Sequence, residues 1–331
     1  MITANVKKIT GVSTIQEVVN VIQNQGVLNE TVDDPEWPIE DLLLRSINIL
    51  NIPDRINTAQ LSKEGQKVSF LFTHAESERL RRRTSWFENE GENGKVLKSK
   101  EERVNIAKAD ILFFEFQGCV YAAFFTKKED TIARLKDELL LPDYWGEISD
   151  AVEFKVEDDL LYWLLYRFAQ FSGKMNRNFD IIGIYGYMGY AVSNTHTITG
   201  EGQRISELLG TLAYIFGNDP LDSLNVSIRK QTEHVSFRIS RSGNIQVSDT
   251  EYMGNFWGNH TDKSRFARIC ILIYTIIIPG IIDTYNDHRK TGQWNMQHRL
   301  DFIKGTGIKI LRKVMPPLQL PLDMTVKDIL A

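Results

Sequence analysis

Pro142-Asp143 is followed, after nine intervening residues, by Glu153-Phe154-Lys155. Two carboxylates and a lysine at that spacing are the minimum for metal-assisted hydrolysis. Asp143 and Glu153 would share one Mg2+, and Lys155 would sit beside the attacking water. If residues 152–156 form a strand, Glu153 and Lys155 point to one side, because their positions differ by two. Glu138, upstream, offers a third carboxylate. A tighter variant, Asp110 with Glu115 and Gln117, lacks the lysine.

Cations interleaved with aromatics offer a different chemistry. Arg79, Arg81, Arg82 and Arg83 precede Trp86 and Phe87, a combination able to clamp phosphates and stack on bases. Further on, Arg229 and Arg238 alternate with the apolar Ile228 and Phe237. They should therefore project from one sheet face with Arg241, close enough to repel each other unless an anion or a nearby acid lies between. Lys263, Arg265 and Arg268 extend this positive surface at the start of an apolar helix. Surfaces of this kind hold phosphate backbones without reading bases.

Other chemistries lack their signatures. Neither G-x-x-x-x-G-K-[ST] nor G-x-G-x-x-G is present, and Gly183, Gly186 and Gly189 instead suggest close strand approach. Gly200-Glu201-Gly202 opens a helix whose amides offer a weak anion site. The six histidines form no H-E-x-x-H, H-x-H or Cys/His cluster, so zinc is not expected. No G-x-S-x-G elbow is present, and Cys119 has no protease signature.

Composition bounds these options. The 331 residues are 42% hydrophobic and 25% charged, enough for a sizeable core in one large or two ordinary domains. The net charge of -4 hides an asymmetry. Residues 1–170 hold 21 Lys and Arg against 29 Asp and Glu; residues 171–331 hold 18 against 14. The basic half suits a polyanion, or attraction to the acidic half. Cys119 and Cys270 lie far apart in apolar surroundings, as buried thiols of a reducing compartment would. The N-terminus lacks an apolar signal core, and the apolar run Ile269 to Ile282 is too short to span a bilayer. A cytoplasmic protein without a membrane segment is expected.

The elements that must position these residues are mixed. Ser13-x-x-Gln16 and Thr14-x-x-Glu17 cap a first helix, and Asp33-Asp34-Pro35 opens a second that runs to Leu50. Val68 to Thr73 is a strand, Glu76 to Phe87 a helix, and residues 88–94 a polar loop. A hairpin follows over 109–126, turning at Gln117-Gly118. Ser99-x-x-Glu102 and Thr126-x-x-Glu129 cap further helices. Val152 to Val156 reads as a strand leading into a helix over Leu160–Phe171, apolar on nearly every side and ended by Gly173. Asp180–Tyr185 begins a strand, a helix covers roughly Gln203 to Phe216, and Asn225 to Val247 is a meander. An apolar helix spans 262–282, kinked or ended by Pro279. The helix Trp294–Lys304 is interrupted by Gly305 and Gly307, and the tail is extended. The fold class is α+β: antiparallel hairpins and a meander packed with helices around a buried central helix. The expected division is an acidic region 1–172 and a basic region 173–331, with a polar boundary near 172–178.

The stretch EDDLLYWLLYRFAQFSG, then a polar loop, FDIIGIYG and the meander, resembles uncharacterised bacterial proteins found beside phage-defence genes. The similarity covers residues 109–247. It implies work on invader nucleic acid together with a partner protein, and it transfers no catalytic residue. Three functions follow. The first is a DNA- or RNA-binding component of a multi-protein system. The second is a Mg2+-dependent nuclease of the P-D…E-x-K type. The third is a protein-binding scaffold, with a partner protein or homo-oligomer covering apolar C-terminal elements.

Overall fold

The computed structural model describes residues 2–50, 57–60, 67–89, 94–190, 196–202, 209–254 and 263–315. The fold is α+β, and the chain divides into two compact units. The N-terminal unit holds Ile2–Val152 with Asn259–Ile271; the C-terminal unit holds Glu153–Gly258 with Leu272–Ala331.

In the N-terminal unit, β1 (Ile2–Ile9) leads to α1 (Ile15–Gln25), β2 (Leu28–Glu30), β3 (Leu43–Ile49), β4 (Asn57–Gln60) and β5 (Lys67–Leu80). Then come β6 (Phe87–Asn89), β7 (Lys95–Leu97), α2 (Lys100–Arg103), β8 (Val104–Phe116) and β9 (Cys119–Phe124). The unit closes with α3 (Glu129–Leu139), α4 (Pro142–Trp145) and β10 (Ile148–Asp150). The antiparallel order is β1-β9-β8-β5-β3-β2, with β10 on β1 and β4 on β5. Thr14 caps α1 by accepting from the Glu17 amide at 3.2 Å, and Glu17 Oε2 accepts from the Ser13 amide at 2.7 Å. The amphipathic faces of α1 and α3 bury Ile15, Val18, Ile132 and Leu135 against Ile111, Phe113 and Phe124.

Two expected helices here are strands. Residues 76–80 continue β5, in register with β8 from Phe70↔Phe114 to Leu80↔Val104. Leu71, Thr73, Ala75 and Ser77 are buried on one face, so pairing overrides the helix propensity of the Glu/Arg run. Likewise Leu43–Ile49 pairs with β5, and only short turns follow Asp34.

The C-terminal unit contains α5 (Asp158–Gln170), β11 (Phe179–Tyr190), β12 (Thr197–Glu201), α6 (Leu209–Phe216), β13 (Leu221–Lys230), β14 (Glu233–Ser240) and β15 (Ile245–Met253). A long helix follows: α7 (Lys263–Leu272) falls, up to Ile271, in the N-terminal unit, and a π turn (Ile273–Ile277), α8 (Ile278–Lys290) and then α9 (Met296–Val314) in the C-terminal unit. The sheet order is β12-β11-β13-β14-β15, antiparallel throughout. Helix α5 lies against β11 and β13, and Leu160, Leu161, Trp163, Leu164 and Leu165 are buried; Phe168 is half-buried. Gly173, at φ 79°, donates to the Arg167 carbonyl, and a Cβ there would collide with the Ile181 carbonyl.

Pro279 neither ends the apolar helix nor stands where it begins to fray. The wide π turn immediately before it absorbs the missing N–H and the ring's bulk. Among the described residues, Arg265–Lys290 is long and apolar enough to cross a membrane by length and composition, and 67% of its apolar window is buried inside the protein. Helix α9 runs through Gly305 and Gly307, because Gly307 admits the ring of Phe216 from α6. The tail after Met315 and residues 203–208 of the expected helix before α6 lie outside the described residues.

At the start of α5, a buried charge network ties the C-terminal unit together. Arg299 on α9 donates from Nη2 to Asp158 Oδ2 at 2.8 Å and from Nη1 to Asp159 Oδ1 at 3.1 Å. Its Nε and Nη2 also donate to Asn218 Oδ1 at 3.1 and 2.8 Å. Tyr285 and Trp294 each donate to Asp159 Oδ2 at 2.7 Å, and the Leu221 amide donates to Asp158 Oδ1 at 2.7 Å. The guanidinium stacks 3.9 Å from the Tyr162 ring centroid. Burial opposes the Arg299 charge, but the two aspartates outweigh it and raise its pKa.

Candidate nucleic-acid interface

The meander places Arg229 and Arg238 on one face, as alternation requires. Three cross-strand rungs define that face. The first runs Asp180, Arg229, His234, Met253; the second Gly183, Ser227, Ser236; the third Glu201, Gly186, Asn225, Arg238, Gln246. Ile228, Val226, Val235 and Phe237 are buried on the opposite side.

The two arginines are not neighbours. Arg229 stands opposite His234, four residues from Arg238 along β14, roughly 13 Å away at the usual strand rise. Each holds an acid: Arg229 Nη2 donates to Asp180 Oδ2 at 2.7 Å and Arg238 Nη2 to Glu201 Oε1 at 2.5 Å. The expected repulsion between them is therefore absent, relieved by distance and by carboxylates. The second pair reaches from β14 to β12 across Asn225 and Gly186, a span of about 14 Å between backbones. Gly186 leaves the space, since a Cβ there would crowd Asn225 and Glu201.

Between the arginines lies a chain of hydroxyls. Ser236 donates to Ser227 Oγ at 2.9 Å, and Ser227 Oγ shares a hydrogen bond with His234 Nε2. Burial, and then the Arg229 charge, lower the His234 pKa, so the imidazole is neutral at pH 7. The Tyr185 ring covers Gly183. Arg238 Nε is buried and has no hydrogen-bond partner among the described residues, an uncommon state for a guanidinium N–H. Arg241, exposed just past β14, faces half-buried Asp222, whose carboxyl burial raises while Arg241 draws it back.

The other expected cations are engaged differently. Trp86 is buried edge-on against Trp37, with ring centroids 5.0 Å apart, and donates to the Arg81 carbonyl at 2.9 Å. Phe87 packs on the same small core with Leu43 and Val104. Neither aromatic is a stacking platform, because both pack on that core. Arg81 Nε donates to the Val104 carbonyl at 2.9 Å. Arg83 pairs with Glu36 at 2.7 Å and Asp34 at 3.5 Å, and Glu36 raises its pKa. Arg82 is exposed. Arg265 and Arg268 are half-buried, and Arg268 lies 5.7 Å from the Phe70 ring centroid rather than reaching outward. The Lys263 side chain lies outside the described residues.

The residues of the metal-site pattern sit on other elements than expected. Asp143 is exposed on the single turn of α4. Glu153 belongs to a 3-10 turn, Val152–Phe154, and Lys155 follows it, so no strand aligns the two side chains. That segment is pinned to the meander turn: the Val156 amide donates to the Arg241 carbonyl at 3.2 Å, and Gly243 packs on the Phe154 carbonyl. Glu138 binds Ser77 and Arg134. In the tighter pattern, Glu115 Oε1 accepts from the Ile15 amide at 2.6 Å and so caps α1, while Asp110 holds His74 Nδ1 at 2.6 Å. Gln117 occupies the hairpin turn at φ 50°. Among the described residues, no three His, Cys, Asp or Glu side chains gather as a metal site.

Burial raises the Cys270 thiol pKa, as expected for an inert core cysteine, whereas Cys119 is only half-buried at its turn. The His234–Ser227–Ser236 chain escaped sequence reasoning. A serine on each of two paired strands, with a histidine two residues before the second, was its only signal. No protein-family model and no curated protein matches the chain.

Proposed function

We propose that the C-terminal unit binds a DNA or RNA backbone on the polar face of its sheet, within a bacterial multi-protein system acting on invading nucleic acid. The observation that carries the reading is the placement of Arg229 and Arg238 on one face, flanking Ser227, Ser236 and His234, with Arg238 Nε unpartnered among the described residues. Each guanidinium spends Nη2 on its acid and keeps Nη1 for a phosphate. Pairs this exposed are worth about 0–1 kcal/mol, so Asp180 and Glu201 orient the arginines without locking them. The defence setting rests on the sequence resemblance alone.

Fluorescence anisotropy with single- and double-stranded probes of unrelated sequence tests the reading. Arg229→Ala with Arg238→Ala should weaken binding equally across sequences. The slope of log K against log salt should fall by roughly 0.9 per lost duplex contact, or 0.7 for a single strand. An unchanged slope, or no binding by the wild type at ~50 mM salt, refutes it.

A further inference from the structure

Helix α9 buries Arg299, Phe302, Ile303 and Thr306 and turns its other side outward. Along that side run Met296, Leu300, Lys304, Ile308 and Arg312, each four residues after the last. Such residues form one continuous ridge, about 24 Å long at the usual helical rise. Met296 is 67% exposed, Leu300 41% and Ile308 51%. Phe216, 53% exposed, lies beside the ridge with its ring against Gly307. Lys304 and Arg312 have no ion-pair partner among the described residues, and the acid within α9, Asp301, accepts from Gln297 at 2.9 Å.

We infer that this ridge docks an acidic amphipathic helix of a partner protein. The order of the residues decides the occupant. An i+4 ridge fits the groove of a second helix, where apolar residues interdigitate. A lipid surface would take a continuous apolar stripe with cations along its margins. Here Lys304 stands between Leu300 and Ile308 within the stripe, so a flat membrane would have to bury or bend away its ammonium. A helix presenting Glu opposite Lys304 and Arg312, and Leu opposite Leu300 and Ile308, satisfies both kinds of contact. Exposed apolar side chains grouped in this way are typical of interaction surfaces.

The probe is a synthetic helix about 20 residues long with alternating Leu and Glu every four residues, and a control with Lys in place of Glu. Titration calorimetry of the full chain should show binding to the Glu peptide and none to the Lys peptide. Lys304→Glu with Arg312→Glu should weaken the Glu peptide at least tenfold and confer binding to the Lys peptide. Circular dichroism verifies that the variant is folded; should it not be, Leu300→Gln with Ile308→Gln replaces it, with the same expected loss. Equal binding of both peptides, no binding of either, or association with phosphatidylglycerol vesicles in place of the Glu peptide overturns the inference. So does retention of Glu-peptide binding by the charge-reversed variant; loss of peptide binding with DNA binding retained separates this ridge from the sheet face.

Discussion

Replacing Arg299 by Met should be among the most damaging single changes in the C-terminal unit. The side chain is 9% exposed and bonds Asp158, Asp159 and Asn218 while covering the Tyr162 ring. Methionine fills much of the volume but leaves two adjacent carboxylates without their cation. Breaking a buried pair from one side costs about 3–5 kcal/mol. For a unit of this size that is a fall in Tm of roughly 6–20 °C. Adding Asp158→Asn and Asp159→Asn removes the stranded charge. The amide oxygens can still accept from the Leu221 amide and from Tyr285 and Trp294. The triple variant should therefore recover part of the loss, measured by urea unfolding followed by circular dichroism. A single variant costing under about 1 kcal/mol, or a triple variant less stable than the single, would refute the account of this network.

Leu164→Ala should cost about 2–5 kcal/mol in the same assay, since the side chain is fully buried in α5. Gly189→Ala should cost about 1–3 kcal/mol or more, because its Cβ would meet the Tyr214 hydroxyl and the Pro220 carbonyl it binds. His288 is buried and its Nδ1 accepts from Trp163 Nε1 at 3.2 Å; burial, then Arg167, lower its pKa. The unfolded state thus takes up a proton first, so this stability is complete above pH ~6.5 and is lost as pH falls through the folded value. His288→Gln should flatten the stability profile between about pH 7 and 5; an unaltered slope would contradict the assignment. Trp86→Ala should cost about 3–5 kcal/mol yet leave nucleic-acid affinity unchanged, since its ring is core.

Local patterns foretold local structure. Leu160 to Leu165 leave no polar stripe, so burial of α5 was legible, as were the hairpin at Gln117-Gly118 and the alternation that puts Arg229 and Arg238 on one face. Misread elements were those whose partner lies far along the chain. Glu76 to Leu80 carries helix-forming residues, and only β8 makes it a strand. Gly305 and Gly307 look like breaks until Phe216 is placed against the second. Asp158 and Asp159 were recognisable as acids at a helix start, but nothing nearby announced Arg299, 140 residues after Asp159. The basic clusters misled for the same reason. Charge counts show how many cations a segment carries, not which of them an acid or an aromatic core has already claimed.

The π turn before Pro279 makes the number of residues in this helix matter as much as their identity. Removing one residue from Ile273–Ile277 would restore an ordinary α-helical count, at the cost of refitting Ile273, Tyr274, Thr275, Ile276 and Ile277, all of them buried. The deletion would narrow the wide turn and leave α7 and α8 nearly in register, because a π turn holds one residue more than an α turn. Ile281, Thr284, Tyr285 and His288 would keep the side they bury, and with it the Tyr285 bond to Asp159 and the Trp163 bond to His288. The proline, however, would regain a clash with the carbonyl four positions earlier. The extra residue in that turn is thus what lets a proline stand inside the helix.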